Sequence, residues 1–308
     1  MTLKTLYFIG VTTQKSAIFN IFPHWMKVFG IEDARICGID LPVHSSADTY
    51  RDVVKQIKND DDAVGALITT HKIDLYKAAY DMFEKIDENA LLLGEVSCIS
   101  KRRDKLFAFA KDPVASGMAL NAFINDDHFL NTGAEVLILG AGGSALAITT
   151  YLLSGARYDG FPSKIIIANR SLERLNEARK VFFKYLKDAN IVFEIVPDKE
   201  TSDKLLEQLT PFSIVINATG LGKDRQGSPL TENAVFPENA YVWDFNYRGD
   251  LLFLRQAYLQ QDKHIHIEDG WIYFVHNWLI CLEEVFNIII TSDMYDACFE
   301  SAVAHRQS

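Results

Sequence analysis

Two hydrophobic rhythms alternate along the chain. Short β-branched or aromatic runs at residues 3–10, 35–40 and 63–69 predict strands, and between them apolar side chains recur at helical spacing. Phe19, Phe22, Met26 and Phe29 make one such stripe, Val53, Val54 and Ile57 mark a second within residues 48–60, and residues 71–83 carry a third. Runs at 96–100 and 105–110 flank the charged turn Lys101-Arg102-Arg103-Asp104, which predicts a hairpin, and a helix is expected at 113–124. The stretch 125–135 then loses its apolar periodicity and holds Asn, Asp and Gly, so a domain boundary is expected there. A second series follows, with strands at 135–139, 164–168, 191–196, 213–217 and 241–244 and a helix at 142–153. The alternation of His264, Ile265, His266 and Ile267 predicts a half-exposed strand, and residues 270–286 and 292–304 are helical by spacing.

Strands alternating with helices imply βαβ units and largely parallel sheets, hence an α/β chain. The expected division is a domain of residues 1–124, a second of residues 125–269, and C-terminal helices from 270–308 packing back on the first. Composition narrows the functional classes. The 308 residues carry 31 basic and 41 acidic side chains, a net charge of −10, which repels nucleic acid at long range. No apolar run approaches the ~18 residues needed to cross a bilayer, and the start has no signal-peptide layout, so no membrane association is expected. Four scattered cysteines without a CxxC pair, and eight histidines without ligand spacing, predict no disulfide framework and no metal site. A reducing cytoplasm fits this usage.

The densest chemical signal is Val136-Leu137-Ile138-Leu139-Gly140-Ala141-Gly142-Gly143-Ser144-Ala145, a hydrophobic strand, a glycine-rich turn and a small-residue helix start. Gly140 permits the tight turn, Gly142 lets the backbone approach a pyrophosphate, and the amides that open the helix form an anion site. This is a Rossmann-type, doubly wound dinucleotide-binding domain by pattern, with Ala145 in place of the third glycine. The next strand ends at Asn169-Arg170-Ser171, with Arg174 one turn on, where an NAD site would place an acidic residue. Asn169 can bond the ribose 2′-substituent, and Arg170 and Arg174 can clamp a 2′-phosphate, so NADP is the expected cofactor and NAD the second choice. Asn217-Ala218-Thr219-Gly220 follows another strand and lies at the carboxyl edge of the sheet, where such folds bind ligands.

In the first domain Thr69-Thr70-His71-Lys72 closes a strand and opens a helix. A cation at a helix N-terminus is disfavoured by the dipole, which draws the lysine towards general acid/base work. Asp112 precedes Pro113 at another helix start, where an N-cap is the alternative reading.

Taken in order, these motifs resemble the shikimate dehydrogenase family over nearly the whole chain. Thr70-His71-Lys72 is similar to the family's PHK motif, Gly94 to Cys98 to its GVNT segment, Gly140 to Ser144 to its GAGGA turn, and Asn169-Arg170-Ser171 to its NRT motif. Asn217 to Gly222 matches NAT(S/G)xG, Asp244 to Tyr247 matches DxxY, and Gly270 to Asn277 is similar to the family's GxxMLVxQ segment. The resemblance implies a substrate domain beside an NADP-binding domain, and hydride transfer between NADP(H) and a ring hydroxyl or ketone of shikimate, quinate or a related cyclic polyol or hydroxy acid. It also implies Lys72 as proton carrier and Asp112 as its companion. Ser16, Thr69, Ser97, Tyr247 and Asn277 would be substrate contacts, and Gly140, Ala141, Gly142, Gly143, Ser144, Asn169, Arg170, Ser171, Arg174, Asn217, Ala218, Thr219, Gly220 and Gly270 would hold the cofactor. A place in aromatic amino acid biosynthesis, as monomer or homodimer, would follow. The departures fall where the family grips its substrate: Ile18, Ala66, Ile68 and Ser97 replace a serine, an asparagine, a threonine and an asparagine. The competing reading is an NADP(H)-binding sensor that has lost catalysis.

Overall fold

The computed structural model describes residues 3–154, 158–187, 189–222 and 225–306. The chain divides into two compact units, residues 1–111 with 277–308, and residues 112–276. The first contains strands β1 (Lys4–Gly10), β2 (Ala34–Asp40), β3 (Ala63–Ile68), β4 (Lys85–Ile86), β5 (Cys98–Arg102) and β6 (Lys105–Phe109), in the sheet order β2-β1-β3-β5-β6-β4. Strands β2, β1 and β3 run parallel, whereas β5 is antiparallel to both β3 and β6. Helices α1 (Ile18–Val28), α2 (Ala47–Asn59), α3 (Lys72–Ala79) and α4 (Glu88–Leu93) complete its N-terminal part. The stripe read from the sequence drives α2 into place: Tyr50, Val53, Val54 and Ile57 are buried in one cluster with Ile9, Ala66 and Ile68. Ser46 caps this helix by accepting the Thr49 N–H at 3.2 Å.

The hairpin forms with Arg102 opposite Lys105, and Arg103 takes the positive φ of +60° that two-residue hairpin loops require.

The second unit holds β7 (Val136–Leu139), β8 (Ile165–Asn169), β9 (Ile191–Ile195), β10 (Ile214–Asn217), β11 (Tyr241–Asp244) and β12 (His266–Glu268), all parallel in the order β12-β11-β10-β7-β8-β9. Every residue of β7 and β10 is buried, which is why these central strands read as unbroken apolar runs. Its helices are α5 (Asp112–Asn121), α6 (His128–Thr132), α7 (Gly143–Leu153), α8 (Leu172–Val181), α9 (Lys199–Glu207) and α10 (Leu252–Tyr258).

The division falls before α5, earlier than the polar stretch 125–135 suggests. The reason is packing. Gly117 lies so close under Tyr151 of α7 that an added Cβ would come within 2.2 Å of the ring. Asn121 Nδ2 also donates to Tyr151 Oη at 2.6 Å, so α5 belongs to the dinucleotide unit. Within the polar stretch, the short helix α6 buries His128 and Phe129.

Helix α11 (Trp271–Phe286) begins in the second unit, and its residues from Asn277 onward, with α12 (Ser292–Ala304), belong to the first. There Trp278 sets its ring edge on Phe8 at 5.0 Å, and Trp25 Nε1 donates to the Cys298 carbonyl at 2.9 Å. Gly65 admits this layer: a Cβ there would stand 2.0 Å from the Ile99 oxygen and 3.1 Å from Val285. Among the described residues no helix is long and apolar enough to cross a membrane, and no group of histidine, cysteine and carboxylate side chains could hold a metal ion.

Candidate functional site

The strand order of the second unit reverses between β7 and β10, and two glycine-bearing turns leave the sheet there. Gly140 ends β7 at φ +119°, and a Cβ on it would stand 2.6 Å from the Ala218 oxygen in the turn that follows β10. The Ala218 N–H donates in turn to the Leu139 carbonyl at 2.8 Å, so the two turns are stitched together at the switch point. Gly142 is the extended N-cap of α7, and a Cβ built on it meets nothing within 4 Å. The opening amides of α7, at Gly143 and Ser144, therefore lie beside open space, and Ala145 behind them is fully buried. Ala141 is buried in the same turn.

The end of β8 is built for a different contact. Asn169 Oδ1 accepts the Ser171 N–H at 3.3 Å, and Ser171 Oγ accepts the Arg174 N–H at 3.3 Å as the cap of α8. Arg170 is exposed at this edge, and the exposed Arg174 bonds Glu177 at 3.2 Å along its helix. Such a surface pair is weakly held, so the guanidinium can be redirected to an anion at small cost.

Beyond Asn217 the loop is organised from within. Asn217 is fully buried; its Oδ1 accepts the Thr219 N–H at 3.1 Å and the Thr219 hydroxyl at 2.6 Å. Its Nδ2 donates to Asp244 Oδ2 at 3.0 Å and to the Leu221 carbonyl at 3.2 Å. The Asn217 side chain is thus a scaffold of the loop, while Ala218, Thr219 and Gly220 remain half-buried. Gly270 is likewise explained by packing, since a Cβ there would lie 2.0 Å from the Phe245 carbonyl oxygen. Tyr247 packs against the rings of Trp271 and Phe274, at 5.2 and 4.9 Å.

In the first unit, Thr69 to Lys72 leave the C-terminal end of β3. Thr70 adopts φ +56°, a left-handed conformation uncommon for a β-branched residue, and the His71 N–H turns back onto the Thr69 carbonyl. Proline, which the resemblance places at Thr70, is locked near φ −65° and could not occupy this turn. His71 is buried with Nδ1 hydrogen-bonded to Tyr50 at 2.9 Å, and Lys72 is the half-buried first residue of α3. The Val96 N–H donates to the Lys72 carbonyl at 3.2 Å, so the segment carrying Ser97 adjoins the lysine turn.

Ser97 itself is committed. It is 1% exposed, its Oγ donates to the Phe109 carbonyl at 3.2 Å and accepts the Lys111 N–H at 2.7 Å. Its hydroxyl ties the ends of two strands together, which displaces it from the expected substrate contacts. Ser16 is half-buried, with its Oγ accepting the Ile18 N–H at 3.5 Å before α1. The neighbouring Thr13 gives both its N–H and its hydroxyl to Asp40, at 2.8 and 2.6 Å. Half-buried Asn277 accepts from Cys281 Sγ at 3.4 Å. Asp112, in the second unit, is 2% exposed at the first turn of α5, and the Ser116 hydroxyl donates to its carbonyl at 2.7 Å.

Sequence reading passed over His276, next to Asn277. Burial pushes its imidazole down to about 4. A base with a depressed folded value binds its proton more readily when unfolded, so stability is full above about pH 6.5 and falls as pH drops towards 4. His276→Gln should flatten this acid limb by at most about 3 kcal/mol, measured as the difference between urea unfolding free energies at about pH 7 and pH 4.5. An unchanged acid limb would show that the imidazole does not control it.

A parallel sheet with its glycine turn at the strand-order reversal defines the second unit as a dinucleotide-binding fold, joined to a second α/β unit. No protein-family profile matches the chain. The shikimate dehydrogenase (NADP(+)) of Nitrosopumilus maritimus is 30% identical over 180 residues, 58% of this chain and 57% of that protein, so over this match the chain spans little more than half of its relative. The enzyme of the same name from Caldicellulosiruptor saccharolyticus is 25% identical over 298 residues, 95% of this chain and 96% of that one. Among solved structures, a shikimate dehydrogenase in complex with NADP+ superposes with a TM-score of 0.75 at 20% identity, covering 99% of this chain and 96% of that one. The 5-ketofructose reductase of Gluconobacter sp. strain CHM43 superposes at 0.68 and 22% identity, covering 97% and 98%. Over nearly its whole length the chain is thus similar, at low identity, to shikimate dehydrogenases.

Proposed function

We propose that this protein is an NADP-dependent oxidoreductase that moves a hydride between NADP(H) and a hydroxyl or ketone carbon of a cyclic polyol or cyclic hydroxy acid. The observation that carries the reading is the pair of stitched turns at the switch point, Gly140 against Ala218, beside open space over the start of α7. The residues present fit the cofactor. The amides of Gly142, Gly143 and Ser144 would hold a pyrophosphate at the positive end of α7, and Asn169, Arg170 and Arg174 a 2′-phosphate. NADP, when bound, supplies the hydride acceptor or donor.

This chain's residues handle the proton. Lys72, neutral, accepts the proton of the substrate hydroxyl as the carbon is oxidised, and as an ammonium it returns that proton in reduction. Asp112 is the companion residue that the family resemblance implies for this step. Ser16, Thr69, Tyr247 and Asn277 supply further contacts to the ring substituents. Three positions where the family resemblance leads to polar groups are instead buried and apolar, Ile18, Ala66 and Ile68, and the Ser97 hydroxyl is spent on backbone. That loss of donors favours a neutral polyhydroxy ketone or cyclitol over a carboxylate such as shikimate or quinate. An assay of purified protein with NADPH or NADP+ against 3-dehydroshikimate, shikimate, quinate, inositols and 5-ketofructose tests the reading. Turnover of a neutral polyol or ketone above that of the acids is expected, and no turnover of any member overturns the enzyme.

Cofactor choice has its own test. Replacing Arg170 and Arg174 with Gln should weaken NADP+ binding by about 10–100-fold while leaving NAD+ within about twofold, because only NADP+ carries the phosphate they would bond. Equal losses for the two cofactors, measured by calorimetry, would defeat the assignment.

A further inference from the structure

We propose that Asp244 is a positioning residue of the nucleotide site: its carboxylate, through Asn217 and Asn246, holds the loop 217–222 in the form that receives the cofactor. This rests on the dinucleotide reading above. The warrant is a closed set of hydrogen bonds at the end of β11. Asp244 is fully buried and Asn246 is 5% exposed. Asp244 Oδ2 accepts from Asn217 Nδ2 at 3.0 Å, and Oδ1 accepts the Asn246 N–H at 2.8 Å. Both amides then converge on one acceptor, the Leu221 carbonyl, Asn217 at 3.2 Å and Asn246 at 2.9 Å. The loop closes on itself where the Leu221 N–H donates to Thr219 Oγ1 at 3.1 Å, and the Gly270 N–H donates to the Asn246 carbonyl at 3.0 Å. Every link runs back to a carboxylate that is fully buried and forms no salt bridge among the described residues.

The chemistry of the carboxylate makes the arrangement directional. Two oxygens are needed as acceptors, one for each donor, and ionised Asp244 supplies both. A protonated or amidated group keeps one good acceptor, and its other atom faces the Asn217 donor. Asn217 then either loses that bond or flips its amide, which breaks the two bonds from Thr219. Burial raises the Asp244 carboxyl to about 7, with the like charge of Asp269 before α11 adding to the rise and the hydrogen bonds from Asn246 and Asn217 opposing it. The other groups facing it, Asn217 from β10 and Asn246 from its own turn, are neutral. The acceptor pair is therefore complete above neutrality and is dismantled as pH falls below it.

The test uses the full chain with NADPH as the probe, comparing wild type with Asp244→Asn from about pH 6 to pH 8.5. At the alkaline end the variant should bind NADPH about 10-fold more weakly, the loss of roughly one charge-assisted hydrogen bond. As pH falls the ratio of dissociation constants should shrink towards one, because protonation removes the same acceptor from the wild type. The 2′-phosphate of the cofactor titrates near pH 6 for both proteins and cancels in the ratio. A ratio of one throughout overturns the proposal, and so does a constant ratio above one, which a purely structural residue would give.

Thr219→Val, which spares Asp244, serves if the first variant does not fold. It should weaken NADPH binding several-fold while keeping the wild-type pH dependence, and unchanged affinity overturns the proposal. If wild type fails to bind NADPH at any pH, the dinucleotide reading falls instead. Hydrogen exchange of the amides at 219 and 221 then decides the positioning role without cofactor: faster exchange in Asp244→Asn at alkaline pH supports it, and equal exchange overturns it.

Discussion

Lys72→Ala should lower turnover by about 10²–10⁴-fold, the range of a lost general acid/base, with the NADPH dissociation constant within about twofold of wild type. The backbone explains why one side chain can carry so much. Lys72 opens α3, its carbonyl is tied by the Val96 N–H, and the turn before it is held at an unfavourable φ by Thr70. Fixing the backbone here fixes the point from which the lysine side chain reaches, which helps bring its ammonium to a defined oxygen. Steady-state assays on the best member of the substrate panel give the comparison. Turnover retained by the variant would remove Lys72 from the chemistry. A wild type that binds NADPH and turns over nothing would leave the sensor reading in possession of the field.

Gly140→Val should strongly damage the second unit. The glycine sits at φ +119°, and a Cβ would come within 2.6 Å of the Ala218 oxygen and 2.7 Å of its carbonyl carbon. Backbone strain of about 1–3 kcal/mol adds to the displacement of the turn, for a loss of roughly 3 kcal/mol and a fall in Tm of about 6–12 °C. NADPH binding should be lost with it, because the displaced turn carries Thr219. Gly142→Ala provides the contrast: nothing lies within 4 Å of its Cβ, so Tm should hold while NADPH affinity falls. Equal melting temperatures for Gly140→Val and wild type, read by scanning calorimetry, would contradict the close approach of the two turns.

The parts of this molecule that could be read from sequence are those in which one residue type answers one local demand. Buried parallel strands need unbroken apolar runs, and 136–139 and 214–217 show them. A turn facing a second backbone needs a glycine, and Gly140 supplies it. What escaped depends on partners distant in the chain. Nothing near Ser97 signals that its hydroxyl will be consumed by Phe109 and Lys111, and a serine there reads as a ligand contact until those strands are paired. The small residues of α5 suit either neighbour equally, and it is the fit of Gly117 beneath Tyr151, with the Asn121 bond to the same ring, that assigns the helix to the second unit. Helices α4 and α6, of six and five residues, are too short to show a period. The inward turn of Asn217, read from sequence as a cofactor contact, follows the tendency of asparagine side chains to bond the backbone two residues on.

The left-handed Thr70 bears on how this protein can be redesigned. Exchanging its strand-to-helix turn for the proline-bearing one of the family would not transplant a neighbour's active-site geometry, because a φ of +56° and a pyrrolidine ring exclude each other. The whole turn would have to be rebuilt around the new residue, and the lysine two positions on would move with it. Glycine is a replacement that leaves the path of the chain alone, and it gives up the stiffness that a branched side chain lends this corner. Thermal robustness and catalytic precision thus compete at a single position, and consensus engineering drawn from relatives would choose wrongly there.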